Sequence, residues 1–263
     1  MNSIAHLKRA GRLGGLARIR MYGNPGTAEG RRRGGINSLK THKRRRGGFK
    51  VLRRIKFPRR SEELAELLGI FMGDGHVGEY QSSVTTNSET DIAHALFVQR
   101  LIRKLFAVPV RLRFRSKVSA CELVTSSKEV CRFLQEQGMS SGNKVRDGVE
   151  IPPWIQENER YAKAFVRGLF DTDGCVYLDR HRYKDQVYKN VGIAFTNRTL
   201  SLLEFFKKRL EALGMRPTQK TRFTVFLRRE EEIRRYFKTI GTSNPKHRRR
   251  LSKFLRIRSG GVA

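Results

Sequence analysis

From Ser61 onward the chain can be laid on itself, and this duplication limits the possible folds more than any other feature. "ELLGIFMGDGHV" (66–77) matches "FVRGLFDTDGCV" (165–176). "SVTTNSETDIAHALFVQRLIRKLF" (83–106) resembles "GIAFTNRTLSLLEFFKKRLEALG" (192–214), and "FLQEQGMSSGNK" (133–144) resembles "YFKTIGTSNPK" (236–246). The landmarks recur in order and at similar spacing: Asp74 to Lys144 is 70 residues, and Asp173 to Lys246 is 73. The unit is roughly 90–100 residues, too long for a solenoid repeat, so two pseudo-symmetric halves are expected. Each half reads as an apolar helix, two β-prone segments, an amphipathic helix, two more strands and a last helix. The predicted fold class is α+β, with two α-β-β-α-β-β-α units over 61–150 and 151–263.

The chain has 263 residues, with 56 Lys+Arg against 24 Asp+Glu and a formal net charge of +32. Such a surplus repels itself in a compact state unless a polyanion is the partner, and nucleic acid is the first candidate. Residues 1–60 hold 19 of the basic residues, a single acid (Glu29) and 10 of the 24 glycines. This segment reads as a basic arm with one or two small helices, ordered mainly on a nucleic-acid backbone or minor groove. Its glycines argue against the amphipathic helix of an organellar transit peptide. Pro58 marks the end of the arm, and Ser61 with Glu62 and Glu63 reads as a helix cap.

Cys121, Cys131 and Cys175 form no CxxC pair, which fits a reducing intracellular compartment, with an organelle not excluded. No apolar run approaches the ~20 residues of a membrane span, so no membrane partner is expected.

The repeated helix carries a small residue at i and i+4 in both copies: Gly69 with Gly73, and Gly168 with Thr172. Helix-interior glycine costs about 1 kcal/mol relative to alanine, and this spacing lets two backbones approach closely. If the copies pack there, their C-terminal ends converge. Each ends in Asp-Gly, at Asp74 and Asp173, where the helix dipole already disfavours a carboxylate. Two such carboxylates brought together call for a cation, and a hard divalent ion such as Mg²⁺ accepts carboxylate and carbonyl oxygens. In a basic protein this suggests phosphodiester hydrolysis. "GLFDTDG" offers a second acid, Asp171, but its counterpart in the first copy is Met72. A two-fold metal site selects Asp173, and Asp171 reads as a local helix-end group.

At these residues the chain resembles a LAGLIDADG homing endonuclease of the monomeric, two-motif type, through "LLGIFMGDG" (67–75) and "VRGLFDTDG" (166–174), with "IPPWI" and "TSNPKHR" as further landmarks. The resemblance implies a saddle of strands over double-stranded DNA and metal-dependent cutting of both strands at a long, asymmetric target. It implies that Asp74 and Asp173 bind metal and position water, with the carbonyls of Gly73 and Thr172 as further ligands. The implied ion is Mg²⁺ or Mn²⁺, with Ca²⁺ in a non-cleaving complex. Asn87 and Asn197 fall where the family carries a polar residue that orders solvent, and Lys144 and Lys246 where it has a basic residue. The same fold also serves intron RNA maturases, for which structured intron RNA is the partner, and DNA-binding regulators. The chain starts at Met1 and ends "SGGVA", so self-splicing is not expected; an intron-encoded or free-standing nuclease is.

Strands that read a groove should place polar side chains at period two. "VRLRFRSK" (110–117) does so with Arg111, Arg113, Arg115 and Lys117. "QKTRFTVFLRR" (219–229) places Lys220, Arg222, Thr224 and Arg228 on one face. "YLDRHRYKDQVYKN" (177–190) reads as a hairpin with Arg180, Arg182, Lys184 and Gln186 near its turn. The cluster "KHRRRLSKFLRIR" (246–258) reads as a phosphate grip.

Overall fold

In the computed structural model, residues 4–45, 55–116 and 118–258 are described. They fall into two compact units, Met1–Leu52 and Arg53–Ala263. The smaller unit contains α1 (Ile4–Tyr22) and α2 (Ala28–Arg45). These helices are far longer than the small ones expected, because glycine weakens a helix without forbidding it. Between them Gly23 adopts a left-handed φ of 75°, Asn24 Oδ1 accepts from Gly26 N, and Thr27 Oγ1 accepts from Gly30 N. A side chain at Gly30 would overlap Asn24 O, so this glycine is needed for the turn.

In the larger unit each half runs helix, two strands, helix, two strands, helix. The first comprises α3 (Glu62–Asp74), β1 (Gly75–Val77), β2 (Ser82–Asn87), α4 (Ile92–Phe106), β3 (Arg111–Arg115), β4 (Ala120–Thr125) and α5 (Lys128–Glu136). Two short helices, α6 (Lys144–Asp147) and α7 (Pro153–Gln156), lead to the second half. That half comprises α8 (Glu159–Asp173), β5 (Gly174–Tyr183), β6 (Gln186–Thr196), α9 (Leu200–Ala212), β7 (Thr218–Thr221), β8 (Thr224–Leu227) and α10 (Glu230–Thr239), and α11 (Pro245–Arg258) follows. The sheets have the equivalent orders β1-β2-β4-β3 and β5-β6-β8-β7, all antiparallel. Ser61 caps α3 by accepting from Leu64 N, as its sequence position predicts. Residues before that cap belong to the larger unit: Lys56 N donates to Phe106 O, and Phe57 lies 6.3 Å from the Phe133 ring.

The halves share one core, and α3 against α8 is its axis. A side chain at Gly69 would overlap Phe165 O of α8, and one at Gly168 would overlap Glu66 O of α3. The helices therefore touch backbone to backbone at the small residues. Around the crossing, Leu67, Ile70, Phe71, Phe165, Leu169 and Phe170 are at most 1% exposed. Gly75 and Gly174 are not left-handed caps but extended (φ −82° and −90°). Glycine is required there because a side chain would run into Phe71 or Phe170 of the preceding turn.

Replacing Gly168 with valine forces backbone apart and should cost about 2–3 kcal/mol. Melting followed by circular dichroism should fall by roughly 4–10 °C; an unchanged midpoint would contradict a backbone-limited crossing.

Candidate functional site

The crossing delivers the ends of both helices to one place. Thr172 and Asp173 lie against the Cα of Gly73: a side chain there would overlap Thr172 Oγ1 and come 3.0 Å from Asp173 Oδ2. Burial pushes the Asp173 carboxyl up to about 7, and the neighbouring Asp74 adds to the shift, against an opposing hydrogen bond from Asn197. Burial likewise raises Asp74, more than the Lys144 ammonium beside it lowers it.

Lys144, the first residue of α6, points its ammonium into this gap. Its Nζ donates to the carbonyls of Phe71 (3.4 Å), Met72 (3.2 Å) and Gly73 at the end of α3. Burial pulls the Lys144 amine down, opposed by Asp173 and Asp74. A monovalent cation thus occupies the spot where the α3 dipole and two carboxylates concentrate negative charge. This donor set, two carboxylates with helix-end carbonyls, is what a hard divalent ion takes. No cluster of three or more His, Cys, Asp or Glu that could hold a metal exists among the described residues, so backbone oxygens would complete any such shell.

The remaining expected site residues are not symmetric. Asn197 Nδ2 donates to Asp173 Oδ2 at 3.0 Å, and its Oδ1 accepts from Thr199 N. The Asn87 side chain instead makes a turn contact, its Oδ1 accepting from Glu89 N and Thr90 N. Lys246 does not mirror Lys144: its Nζ pairs with both Asp91 oxygens at 2.6 and 2.8 Å.

Asp91 belongs to the first half and is the N-cap residue of α4. It also accepts from Asn244 Nδ2 (2.6 Å) and Thr90 Oγ1 (2.8 Å). Burial alone would raise its carboxyl, but the bonds from Asn244, Lys246 and Thr90 outweigh this and hold it low. Burial keeps the adjacent His94 and His247 neutral, down to about 4 and about 3, so Asp91 and Lys246 carry the charge of this pocket at neutral pH.

Asp171 anchors the loop that brings Asn244 and Lys246 here. Its carboxylate accepts from Thr242 Oγ1 and Ser243 N, and its carbonyl accepts from Asn244 Nδ2. It is 2% exposed and its carboxylate is engaged by Thr242 and Ser243, a structural role in keeping with its lack of a counterpart in α3. The motif spacing gave no sign of Asp91 or Asn244, because their partnership joins residues more than 150 positions apart. An Asp four residues after Asn87, at a helix start, was the available hint.

Register sorts the candidate contact residues. In the first sheet Ser83↔Val124↔Arg111, Thr85↔Glu122↔Arg113 and Asn87↔Ala120↔Arg115 form rows on the face away from the core. Arg111, Arg113 and Arg115 are therefore exposed together, with Arg115 3.9 Å from Glu122; Lys117 lies outside the described residues. The 177–190 hairpin forms as expected, turning at Lys184 and Asp185 with φ of 45° and 61°, the two left-handed residues of a type I′ turn. Arg180 and Arg182 share the pleat face of Val176 and Leu178 but extend past the core into solvent, and Gln186 pairs with Tyr183. The opposite face carries Tyr177 and the cross-strand stack of His181 on Tyr188 (5.4 Å), which alternating basic residues did not reveal.

The run 219–229 is not one strand. Arg222 and Phe223 turn the chain between β7 and β8, so Thr221 pairs with Thr224 and period two is broken. Lys220 lies on the edge strand, Arg222 in the turn, Thr224 against Thr196 at 3.0 Å, and Arg228 beyond β8 over the Phe226 ring. The 246–258 cluster falls on α11.

A sequence description of the LAGLIDADG-like domain matches this chain twice, over residues 61–138 and 160–241. The chain belongs to the LAGLIDADG family. Among similar solved structures, the LAGLIDADG fold is shared with I-SmaMI bound to an uncleaved DNA target with calcium ions. That match has 11% identity, covers 77% of this chain and 93% of that one, and has a TM-score of 0.52. I-DmoI in complex with DNA and Mn aligns at 22% identity over 70% of this chain and 98% of that one, with a TM-score of 0.45. Among curated sequences, the tRNA-splicing ligase RtcB of Methanopyrus kandleri is 30% identical over 43% of this chain, and the replication factor C small subunit of Methanocaldococcus jannaschii is 32% identical over 44%. The chain spans only 13% and 6% of those two proteins. Among the described residues no helix is long and apolar enough to cross a membrane.

Breaking the buried Asp91–Lys246 pair from one side leaves an uncompensated charge. Asp91→Asn should lower stability in urea by about 2–3 kcal/mol, and Lys246→Met in the same chain should recover most of it. Strictly additive losses would show that the two charges are not coupled.

Proposed function

We propose that this chain is a site-specific endonuclease that makes metal-dependent double-strand breaks in DNA. The observation that supports this best is the meeting of two aspartates, one from each repeat, at the ends of crossing helices. The I-SmaMI complex, with its uncleaved DNA target and calcium ions, lends the reading further support.

On this reading Asp74 and Asp173, with the carbonyls of Gly73 and Thr172, hold divalent ions. The ion supplies Lewis-acid polarisation of the phosphate and lowers the pKa of attacking water. Asp173 accepts from Asn197, which fixes its carboxylate plane, and Lys144 supplies positive charge close to the phosphate as charge develops. Lys246, held by Asp91, is positioned to act through that pair or on a phosphate, without Lys144's direct access to the helix ends. The sheet rows bearing Arg111, Arg113 and Arg115, and the hairpin bearing Arg180, Arg182, Lys184 and Gln186, are the surfaces for duplex DNA, as a single chain whose halves address two half-sites. Lys220, Arg222, Thr224 and Arg228 contribute individually, not as one row.

The deciding experiment incubates the protein with a plasmid carrying the insertion junction of its own gene, with Mg²⁺ or with EDTA. Linear product in Mg²⁺ alone supports the reading; no cutting in either defeats it, and tight selective binding of structured intron RNA would favour a maturase. Asp173→Asn should abolish cutting while binding persists. Asp171→Asn should retain measurable cutting but melt earlier, by the equivalent of about 1–3 kcal/mol; equal loss of cutting in both would refute the assignment.

Metal binding can be read without activity. Ca²⁺ at about a hundred times its Kd should add about 2.7 kcal/mol to the stability of the parent chain. The added stability should vanish in Asp74→Asn/Asp173→Asn. A gain that survives in that double variant would place the ion elsewhere.

A further inference from the structure

The smaller unit is not needed to complete the site, yet it is among the most basic parts of the chain. In α1, Lys8, Arg9, Arg12, Arg18 and Arg20 have no carboxylate partner among the described residues. The unit's one acid, Glu29, is shared between Arg32 (3.3 Å) and Arg33 (4.0 Å). Every described side chain of α1 is exposed.

The glycines of this unit do not all serve one purpose. Gly23 and Gly30 build the turn, as described above. Gly11, Gly14, Gly15 and Gly35 sit inside helices with nothing within 4 Å of where a side chain would begin. Each costs the helix about 1 kcal/mol relative to alanine. At 3.6 residues per turn, Lys8, Gly11, Gly15 and Arg18 fall in one row about 15 Å long. The row has a cation at each end and bare backbone between, while Leu13 and Leu16 lie on the other side.

We propose that the α1–α2 hairpin is a second, sequence-independent docking surface for duplex DNA. Its basic charge neutralises phosphates, and the glycine row lets the helix backbone press against the sugar-phosphate ridge. A polyanion fits this charge, and the exposed row suits the regular, rigid ridge of a duplex. Cleavage is not required for this, so failure of the endonuclease reading would leave it standing.

The test is fluorescence anisotropy of the full chain with a short random-sequence duplex in EDTA, over a range of salt. Lys8→Gln/Arg18→Gln should reduce the slope of log K against log salt by about 2, at about 0.9 per phosphate contact. Gly11→Leu/Gly15→Leu should increase helicity by circular dichroism yet weaken duplex binding on the order of tenfold. A solvated tail would keep the slope and affinity of the parent chain in both variants, and that result overturns the proposal. It is equally overturned if structured RNA of equal length, or anionic lipid vesicles, bind more tightly than the duplex and lose that advantage in the variants.

Discussion

The contact on which the larger unit depends is the backbone-to-backbone crossing of α3 and α8. Gly69 fits against Phe165 O and Gly168 against Glu66 O, so neither helix can carry a side chain there. This close approach merges two repeats, each too small to bury its own motif helix, into one core. It also sets the lateral position of Asp74 relative to Asp173. A wider crossing would separate the two carboxylates, and no substitution at the helix ends would bring them back.

The same geometry concentrates unfavourable charge. Two carboxylates sit at the negative ends of two helix dipoles, in surroundings whose burial raises both. Lys144 answers that charge within the chain by donating to the last carbonyls of α3. The second half takes a different course, with Lys246 neutralised by Asp91 and the loop around Asn244 bolted to Asp171. The fold is pseudo-symmetric while its polar network is not. Duplication fixes where backbones go, but each side chain's partner depends on neighbours that have since diverged, as with Asp91 at one N-cap and Thr199 at the other.

Around this centre the sheets present regular rows because antiparallel register holds Arg111, Arg113 and Arg115 on one face. Regularity ends where turns intervene, at Lys184–Asp185 and at Arg222–Phe223. The N-terminal hairpin follows a different principle: helices rich in positive charge and glycine whose described side chains are mostly exposed.

The sequence by itself determined the duplication, the α-β-β-α-β-β-α order, the cap at Ser61 and the small-residue crossing. Each is a local pattern or a comparison of one copy with the other, so each is readable along the chain. It did not determine the Asp91–Lys246 pair, the inequality of Asn87 and Asn197, or the break of the 219–229 run, and it underestimated the helices of the arm. Those outcomes rest on contacts between residues far apart in sequence, on a two-residue turn with no glycine to announce it, and on helix propensity too weakly opposed by glycine. Only the tertiary structure decides such matters, because a buried charge takes whichever partner the packed neighbours bring within reach.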